Sequence, residues 1–298
     1  MKCLTVFALL LVLIVVNSYA SESMPPDFTS KTEIISQKLR DKGFGDDEIR
    51  VIFSDARIEL YPEMLNKSGK GLNYTSRKFG LLTKKSVMRG QKVLKEHGDT
   101  FKEIEEQFGV EKEVIVAIYR VETNLGSARG NYIVFNSLLT MSVFENRRSE
   151  WATDELISLL VLCKNSNRDP FSIKGSWAGA FGLCQFIPSS YLRFAVDGNG
   201  DGNIDLFNFH DAMASIASYL RAHGWENNSP DKKKKAVWAY NHCDNYVKAV
   251  LAYARASNSS SKPSNSSSKP KMKSRRQGRG YVGVQQRYVE DTHKWVPG

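Results

Sequence analysis

Cysteine is scarce in this 298-residue chain, which carries only four. Cys3 lies too early to be a lipid-attachment cysteine, and it belongs to an apolar N-terminal segment. The other three, Cys163, Cys184 and Cys243, allow at most one disulfide, and their spacing matches no metal-binding template. A disulfide framework and a cysteine metal site are therefore excluded. We interpret the three as core residues, with a single disulfide and one leftover thiol as the alternative.

Long apolar runs are absent after the first twenty residues. Those residues, MKCLTVFALLLVLIVVNSYA, carry Lys2, an apolar run to Val16, and Ser18 and Ala20 at the −3 and −1 positions of a cleavage site. The pattern predicts a secretory signal peptide over residues 1–20, because the run is short for a membrane span. An uncleaved N-terminal anchor is the alternative. We expect a periplasmic or secreted protein.

Alternating strand patterns are also scarce, whereas apolar residues recur at helical spacing along most of the chain. The first helix is predicted to start at a capping box of Ser30 and Glu33 and to end at Gly43. Further helices are predicted in GDDEIRVIFSDA, over residues 103–108 and 111–121, in TDELISLLVLCK, in DAMASIASYLRAHG, and as one last helix in KKKKAVWAYNHCDNYVKAVLAYARA. The body is predicted to be mainly α, and residues 232–235 are interpreted as a solvated helix start.

The formal net charge of +10 is unevenly distributed. Near Ala256 the composition changes to SNSSSKPSNSSSKPKMKSRRQGRG, which has no core-forming residues and predicts a flexible linker. From Ser261 onward, nine basic residues face only Glu290 and Asp291, a net charge of +7. Residues 257–298 are therefore predicted to be a linker and a basic tail, which would bind an anionic wall or membrane surface. Nucleic acid would also attract these charges, but a signal peptide argues for export.

A glutamate stands at the end of the most apolar helical pattern. Residues 114–121 are apolar or aromatic except for Arg120, and Glu122 follows directly, before small residues begin. A carboxyl held against apolar groups loses hydration in its charged form, so its pKa rises and it becomes a good general acid. A surface glutamate at a helix end is the alternative reading of this stretch alone.

A second stretch, KGSWAGAFGLCQFIPSSYLRFAVD, is rich in small residues and contains Ser176 and Gln185 between aromatic residues. Neutral hydrogen-bonding groups beside aromatic faces suit sugars, which present hydroxyls and an apolar ring face. Close helix packing would explain the glycines and alanines equally well.

The segment DGNGDGNIDLFNFHD has the spacing of a calcium loop. Asp197, Asn199 and Asp201 occupy positions 1, 3 and 5, and Gly202 occupies position 6, where the chain must bend sharply. Position 12 is an asparagine instead of glutamate, and Asp211 could close a lengthened loop. A turn without metal is the alternative. We expect a structural calcium ion, bound weakly.

Together these motifs resemble the lytic murein transglycosylase B family, lysozyme-like enzymes that cut peptidoglycan glycan strands. The matching text is RVETNLG, FENRRSEW, the segment from DPFSIKGSW to YLRAHGW, and AYNHCDNYV. The resemblance covers roughly residues 27–256. It implies a goose-type lysozyme-like helical domain with an N-terminal helical segment and no organic cofactor.

The resemblance also implies roles for individual residues. Glu122 would be the catalytic acid and later the base. Arg147 and Arg148 match the family's paired arginines, which face peptide-stem carboxylates or support the fold. The calcium loop, residues 197–211, would use Asp197, Asn199, Asp201, the Asn203 carbonyl and Asp211. The saccharide cleft would be lined by Ser176, Gln185, Tyr219, Tyr240, Asn241 and Tyr246. Cys184 replaces the family's usual glycine and could narrow the cleft wall.

The expected activity is cleavage of the bond between N-acetylmuramic acid and N-acetylglucosamine with formation of 1,6-anhydromuramyl ends. A second carboxylate nearby, such as Glu145 or Asp154, would instead favour hydrolysis. A wall-binding protein whose catalytic site has lapsed is the alternative outside enzymes.

Overall fold

The computed structural model describes residues 25–67 and 73–258. The predicted signal peptide and nearly all of the predicted tail lie outside these residues. No helix in the described ranges is long and apolar enough to cross a membrane.

The described chain contains eleven α-helices, a short 3₁₀ helix at Pro62–Met64 and one two-stranded antiparallel sheet. In chain order the elements are α1 Phe28–Asp41, α2 Asp46–Phe53, α3 Lys84–Glu96, α4 Gly98–Phe108, α5 Lys112–Thr123, β1 Tyr132–Ile133, α6 Val134–Val143, α7 Ser149–Asn165, β2 Lys174–Gly175, α8 Pro188–Phe194, α9 Phe209–Ala222, α10 Pro230–Tyr240 and α11 Asp244–Ser257.

Helix α5 lies at the centre of the fold. Every residue from 114 to 123 is buried, and the helix packs against α3, α4, α9 and α11. Its end is sharp because Asn124 and Leu125 both adopt the left-handed conformation, with φ of 53° and 58°. Two such residues in succession cannot continue a right-handed helix. Glu122 is thereby held in the last turn of a core helix.

The small sheet joins the end of α5 to the loop that follows β2. Tyr132 pairs with Gly175, and Gly130 approaches so closely that a Cβ atom there would lie 2.0 Å from the Gly175 carbonyl oxygen. Gly130 also has a φ of 86°, so glycine is required for two reasons. This contact places Ser176 and the small-residue segment beside the helix that carries Glu122.

The mainly α prediction is confirmed, with corrections to single helices. Helix α1 begins at Phe28, and Ser30 lies inside its first turn, where its hydroxyl donates to the Asp27 carbonyl instead of forming a capping box. The predicted last helix is two helices, because Asn241 and Cys243 are extended, with φ near −148° and −147°. Helices α3, α6 and α8 were not predicted. Each residue of α6 is buried, its polar residues included, so the helix lacks the solvent-facing side that marks an amphipathic helix.

Candidate active site

Glu122 is fully buried at the end of α5, with no exposed surface. Its Oε1 atom accepts a hydrogen bond of 2.6 Å from the Tyr246 hydroxyl, and its Oε2 atom has no partner among the described residues. Burial raises the pKa of Glu122 from 4.5 to about 8, while the Tyr246 hydrogen bond opposes that rise. Because Tyr246 donates to Oε1, the carboxyl proton at neutral pH belongs on Oε2.

Tyr246 comes from α11, and Tyr240 comes from the last turn of α10. Their rings are nearly parallel, 7° apart, with centroids separated by 6.4 Å. The Tyr240 hydroxyl donates to the Cys184 carbonyl oxygen at 2.7 Å, so it ties the small-residue loop to the two C-terminal helices. Burial raises the pKa of both tyrosines well above 10, which keeps both hydroxyls protonated as donors.

Asn241 lies in the break between α10 and α11 and is almost fully buried. Neither the oxygen nor the nitrogen of its side-chain amide has a hydrogen-bond partner among the described residues. A buried amide with both atoms unsatisfied is rare in a stable fold, because each lost partner costs on the order of 1–3 kcal/mol. The amide of Asn241 therefore keeps unused capacity both to donate and to accept a hydrogen bond.

The loop before α8 carries Gln185 and Ser176, both buried. Gln185 has a φ of 53°, and its side-chain amide donates to the carbonyl oxygens of Gly182 at 3.0 Å and Arg129 at 3.2 Å. The Ser176 hydroxyl accepts from the Ala180 amide at 3.1 Å. These bonds shape the loop locally. Cys184 is fully buried, and burial raises the pKa of its thiol, so the side chain belongs to the core.

Tyr219 stands on α9 with most of its ring buried, and its hydroxyl donates to the Ala239 carbonyl at 2.8 Å. The His223 ring stacks on it with centroids 4.1 Å apart, and Phe194 packs on the same ring edge-on at 4.8 Å. Tyr219 is thus both a core residue and part of an aromatic cluster that continues to Tyr240, 4.9 Å away. The sequence analysis did not single out His223, although it lies four residues after Tyr219, a spacing that places two side chains on the same face of a helix.

Arg147 and Arg148 lie in the loop between α6 and α7. Arg147 is exposed, whereas Arg148 is partly buried with its guanidinium 5.6 Å from the centre of the Trp177 ring. Burial lowers the pKa of Arg148, and the charge of Arg147 lowers it further. Because Trp177 follows Ser176, the contact brings one arginine to the wall that also carries Ser176.

The predicted calcium loop folds around its own carboxylates. Asp197 accepts hydrogen bonds from the amides of Gly200 at 2.7 Å and Gly202 at 2.8 Å, and Asp211 accepts from Gly198 and Asp205. Asn199 Oδ1 and Asp201 Oδ1 accept from the amides of Asp201 and Asn203. No group of three or more His, Cys, Asp or Glu side chains in the described ranges is close enough to hold a metal. The loop's donors are nonetheless all oxygens, which suit a hard cation.

The predicted site therefore divides into three groups. Glu122, Tyr246, Tyr240, Asn241 and Gln185 are buried in one region bounded by α5, α10, α11 and the loop before α8. Ser176 and the arginine pair lie along the wall that continues from that loop, and Tyr219 connects through aromatic contacts. The calcium loop lies between α8 and α9, apart from the carboxyl.

Comparison with known proteins shows which family the chain belongs to. The transglycosylase SLT domain profile matches residues 27–234. The chain is similar to the membrane-bound lytic murein transglycosylase B of Escherichia coli strain K12, with 36% identity over 193 residues, which are 65% of this chain and 52% of that protein. The chain thus spans about half the length of this curated relative.

The fold is similar to that of the Escherichia coli lytic transglycosylase SLT35. The complex of SLT35 with bulgecin A superimposes with a TM-score of 0.68 and 26% sequence identity, covering 78% of this chain and 95% of that chain. The complex of SLT35 with calcium gives a TM-score of 0.67 and 26% identity, covering 78% and 92%. These matches confirm the predicted lysozyme-like helical fold. The chain belongs to the transglycosylase SLT domain family.

Proposed function

We propose that the chain is a peptidoglycan lytic transglycosylase that cleaves the β-1,4 bond between N-acetylmuramic acid and N-acetylglucosamine. The observation that carries the proposal is the state of Glu122: a fully buried carboxyl with a pKa of about 8, one oxygen bonded and the other without a partner. Such a group is protonated at neutral pH and can protonate a glycosidic oxygen. The relatives named above support the substrate class.

In the first step, Oε2 of Glu122 gives its proton to the glycosidic oxygen, and the bond from that oxygen to the muramyl C1 breaks. The N-acetylglucosamine part leaves as an alcohol. The carbonyl oxygen of the muramyl 2-acetamido group bonds to C1 and stabilises the positive charge there. Glu122 is left as a carboxylate, which the Tyr246 hydrogen bond to Oε1 stabilises.

In the second step, Glu122 takes back a proton from the muramyl C6 hydroxyl. The C6 oxygen attacks C1, and the bond from C1 to the acetamido oxygen breaks. The product is a 1,6-anhydromuramyl end, no water is consumed, and Glu122 regains its proton. A single carboxyl is sufficient for this sequence because the acetamido group replaces the second carboxylate of ordinary glycosidases.

The positions of other acids favour this reaction over hydrolysis. Asp154 is exposed on α7 and paired with Lys38 at 2.7 Å, and Glu145 is exposed beside Arg147 in the loop after α6. The pKa of Glu122 is shifted by burial and by the hydrogen bond from Tyr246, and not by a neighbouring carboxylate. Neither acid suggested by the sequence is therefore available as a partner of Glu122.

The substrate would be held by a buried amide that has no hydrogen-bond partner, by two polar side chains of the facing loop, and by aromatic rings. The unsatisfied Asn241 amide would bind a sugar hydroxyl or acetamido group, with Ser176 and Gln185 on the facing loop and Tyr219 and Tyr240 as ring surfaces. Arg147 and Arg148 would face peptide-stem carboxylates. Because Glu122 is fully buried, the side chains over it must part before a glycosidic oxygen can reach Oε2.

The test is the mass of the products released from purified peptidoglycan sacculi. Transglycosylation gives anhydro ends, which are lighter by one water than the reducing ends that hydrolysis gives. Anhydro ends as the main product would support the proposal. Reducing ends would assign a hydrolytic muramidase, and tight binding of sacculi with no release would assign a lapsed enzyme.

We also propose that residues 197–211 bind a structural calcium ion. The oxygens of Asp197, Asn199, Asp201 and Asp211 and the Asn203 carbonyl form the donor set, and SLT35, which has been solved in complex with calcium, supports it. Chelation should lower the melting temperature, and adding calcium to stripped protein should restore it. Because the hydrogen bonds of Asp197 and Asp211 stay within residues 197–211 and none joins the loop to Glu122, the effect should fall on stability more than on turnover. An Asp201→Asn variant should weaken the calcium response, and an unchanged response would contradict the ligand set.

The place of action would be outside the cytoplasm, in the periplasm or secreted. The apolar segment over residues 1–20 supports this as a signal peptide, and the basic residues from 261 onward support contact with an anionic wall or membrane surface.

A further inference from the structure

Helices α10 and α11 form a pair with two different faces. One face builds the site, with Tyr240 and Tyr246 pointing toward Glu122 and the small-residue loop. At about 100° per residue, Trp238 and Lys248 lie roughly 160° around their helices from these tyrosines. The pair therefore presents a second face on the side opposite the carboxyl.

This outer face is an open groove of about 610 Å³. Its floor is apolar, formed by Val247, Leu251 and the Trp238 ring, and Trp238 is 41% exposed. Its rim is formed by Lys234, Lys235, Lys248, Arg255 and the acidic residue Asp244. Four basic residues against one acid give the groove a positive charge around an exposed aromatic ring.

Two of the rim lysines, Lys235 and Lys248, form no ion pair within the described part of the chain, whereas a third does. Lys234 forms an ion pair with Asp231 at 3.1 Å, with both side chains largely exposed. No acidic side chain among the described residues pairs with Lys235 or Lys248. Residues 232–235 are therefore more than a solvated helix start, because Lys235 contributes to a shared basic surface instead of to the stability of α10.

The groove also leads to the point where the described chain ends. A neighbouring hollow shares Lys234, Leu251 and Arg255 with it and reaches Asn258, the last described residue. The next forty residues carry nine basic side chains against two acidic ones. The basic groove is thus followed in the chain by a basic segment, although the hollow between the groove and Asn258 also carries Glu111 and Glu113.

We propose that this outer face of α10 and α11 docks on an anionic phospholipid bilayer. A tryptophan ring flanked by lysines matches the headgroup region of a bilayer, where the ring enters the interface and the ammonium groups meet phosphates. Because Glu122 faces the other way, the docked enzyme presents its site away from the lipid. The proposal is independent of the reaction that Glu122 performs.

The test is cosedimentation of the full chain with vesicles, which needs no turnover. The full chain should bind vesicles of equal parts phosphatidylglycerol and phosphatidylcholine and should not bind pure phosphatidylcholine. The Lys235→Glu, Lys248→Glu double variant should weaken binding at least ~10-fold, since each basic residue at an anionic surface contributes about fivefold. The matched control is Lys42→Glu, Lys95→Glu, which makes the same charge change just after α1 and on α3 and should keep its affinity within about threefold.

Trp238 supplies a second readout. In a Trp295→Phe background, brominated phosphatidylcholine mixed into the anionic vesicles should quench the fluorescence, and Trp238→Phe should remove most of that quenching. Thermal melting of each variant should stay close to that of the parent, since the changed residues within the described part of the chain are exposed.

If both double variants weakened vesicle binding equally, net charge alone would explain the binding, and the proposed role of the groove would be wrong. Unchanged vesicle binding by Lys235→Glu, Lys248→Glu would overturn it as well. Loss of binding to peptidoglycan sacculi without loss of vesicle binding would assign the groove to the wall polymer and not to lipid.

Discussion

Two buried glutamates in this protein show how different surroundings give one residue type different tasks. Glu122 on α5 and Glu155 on α7 are both less than 5% exposed, and burial raises the pKa of both. Glu155 accepts two hydrogen bonds from Ser189 near the start of α8, from the amide at 2.9 Å and the hydroxyl at 2.7 Å. Glu122 accepts one, from Tyr246, and keeps Oε2 without a described partner.

The two carboxyls differ in whether one oxygen atom is left without a hydrogen-bond partner. Both oxygens of Glu155 are engaged by donors at a helix start, where negative charge is favoured, so the group joins α7 to α8. Glu122 is kept neutral by apolar neighbours and a neutral hydroxyl, and its second oxygen has no structural duty. Burial alone therefore does not mark a catalytic acid, and the role proposed for Glu122 rests on burial together with the unsatisfied oxygen.

The strongest test of this comparison is the effect of amide substitution on turnover. Glu122→Gln should reduce turnover of sacculi by at least ~10³-fold, because the amide cannot donate a proton to the glycosidic oxygen. Glu155→Gln, the matched control, should stay within about twofold, because no proton of Glu155 takes part. Release of muropeptides followed by mass spectrometry measures both. Comparable losses in the two variants would remove the distinction.

The next largest effect is expected in how the stability of the protein depends on pH. The folded state holds the Glu122 proton more tightly than the unfolded chain, so its contribution to stability is present below about pH 4.5 and is lost as the pH rises through about 8. Glu122→Gln should therefore be more stable than the parent at pH 9, on the order of a few kcal/mol, and similar to it at pH 4. Urea denaturation at the two pH values measures this. An equal difference at both would show that Glu122 ionises freely.

Removal of the Tyr246 hydroxyl, which donates a hydrogen bond to Glu122, should have a smaller effect. Tyr246→Phe deletes the hydrogen bond that favours the charged carboxylate, so the pKa of Glu122 should rise further. Turnover should fall about tenfold, because the carboxylate formed after the first step loses its donor. The alkaline limb of the pH profile, where turnover falls as Glu122 ionises, should move to higher pH. A limb that moves to lower pH would contradict the assigned hydrogen bond.

The smallest effect is expected for the structural glutamate. Glu155→Gln can still accept from one Ser189 donor but leaves the other without an acceptor, which should cost about 1–3 kcal/mol of unfolding free energy. Chemical denaturation at neutral pH measures it, with Glu150→Gln on the exposed side of α7 as the control. A loss no larger than that of the control would mean that α7 and α8 are joined by packing alone.

Local pattern was sufficient for several parts of the fold. Residues 114–121 are apolar or aromatic except for Arg120, and this predicted a helix, while the stretch alone left open whether Glu122 is a buried acid or a surface glutamate. The glycine and acid spacing of residues 197–211 predicted a calcium loop with a sharp bend at Gly202, and the structure has glycine at positive φ at positions 200 and 202, while the ion itself stays a prediction. These are features of consecutive residues.

Other parts depend on contacts between distant residues, which no local pattern contains. KKKKAVWAYNHCDNYVKAVLAYARA has a continuous helical period, so the break at residues 241–243 was invisible, although it brings Asn241 into the site. Glu155 was missed because its partner Ser189 lies thirty-four residues away. The groove on α10 and α11 was missed because its lysines meet only when the two helices pack.

By itself, the sequence determined the mainly helical class and several of the helices, that Glu122 follows an apolar helical pattern, and where oxygen ligands and glycines alternate, because these depend on neighbours within a few residues. The tertiary structure alone decided that Tyr246 is the partner of Glu122, that the Asn241 amide is buried without one, and that α10 and α11 carry a site on one face and a basic groove on the other. Hydrogen bonds and desolvation act over a few ångströms, and only folding brings residues 122 and 246 within that distance.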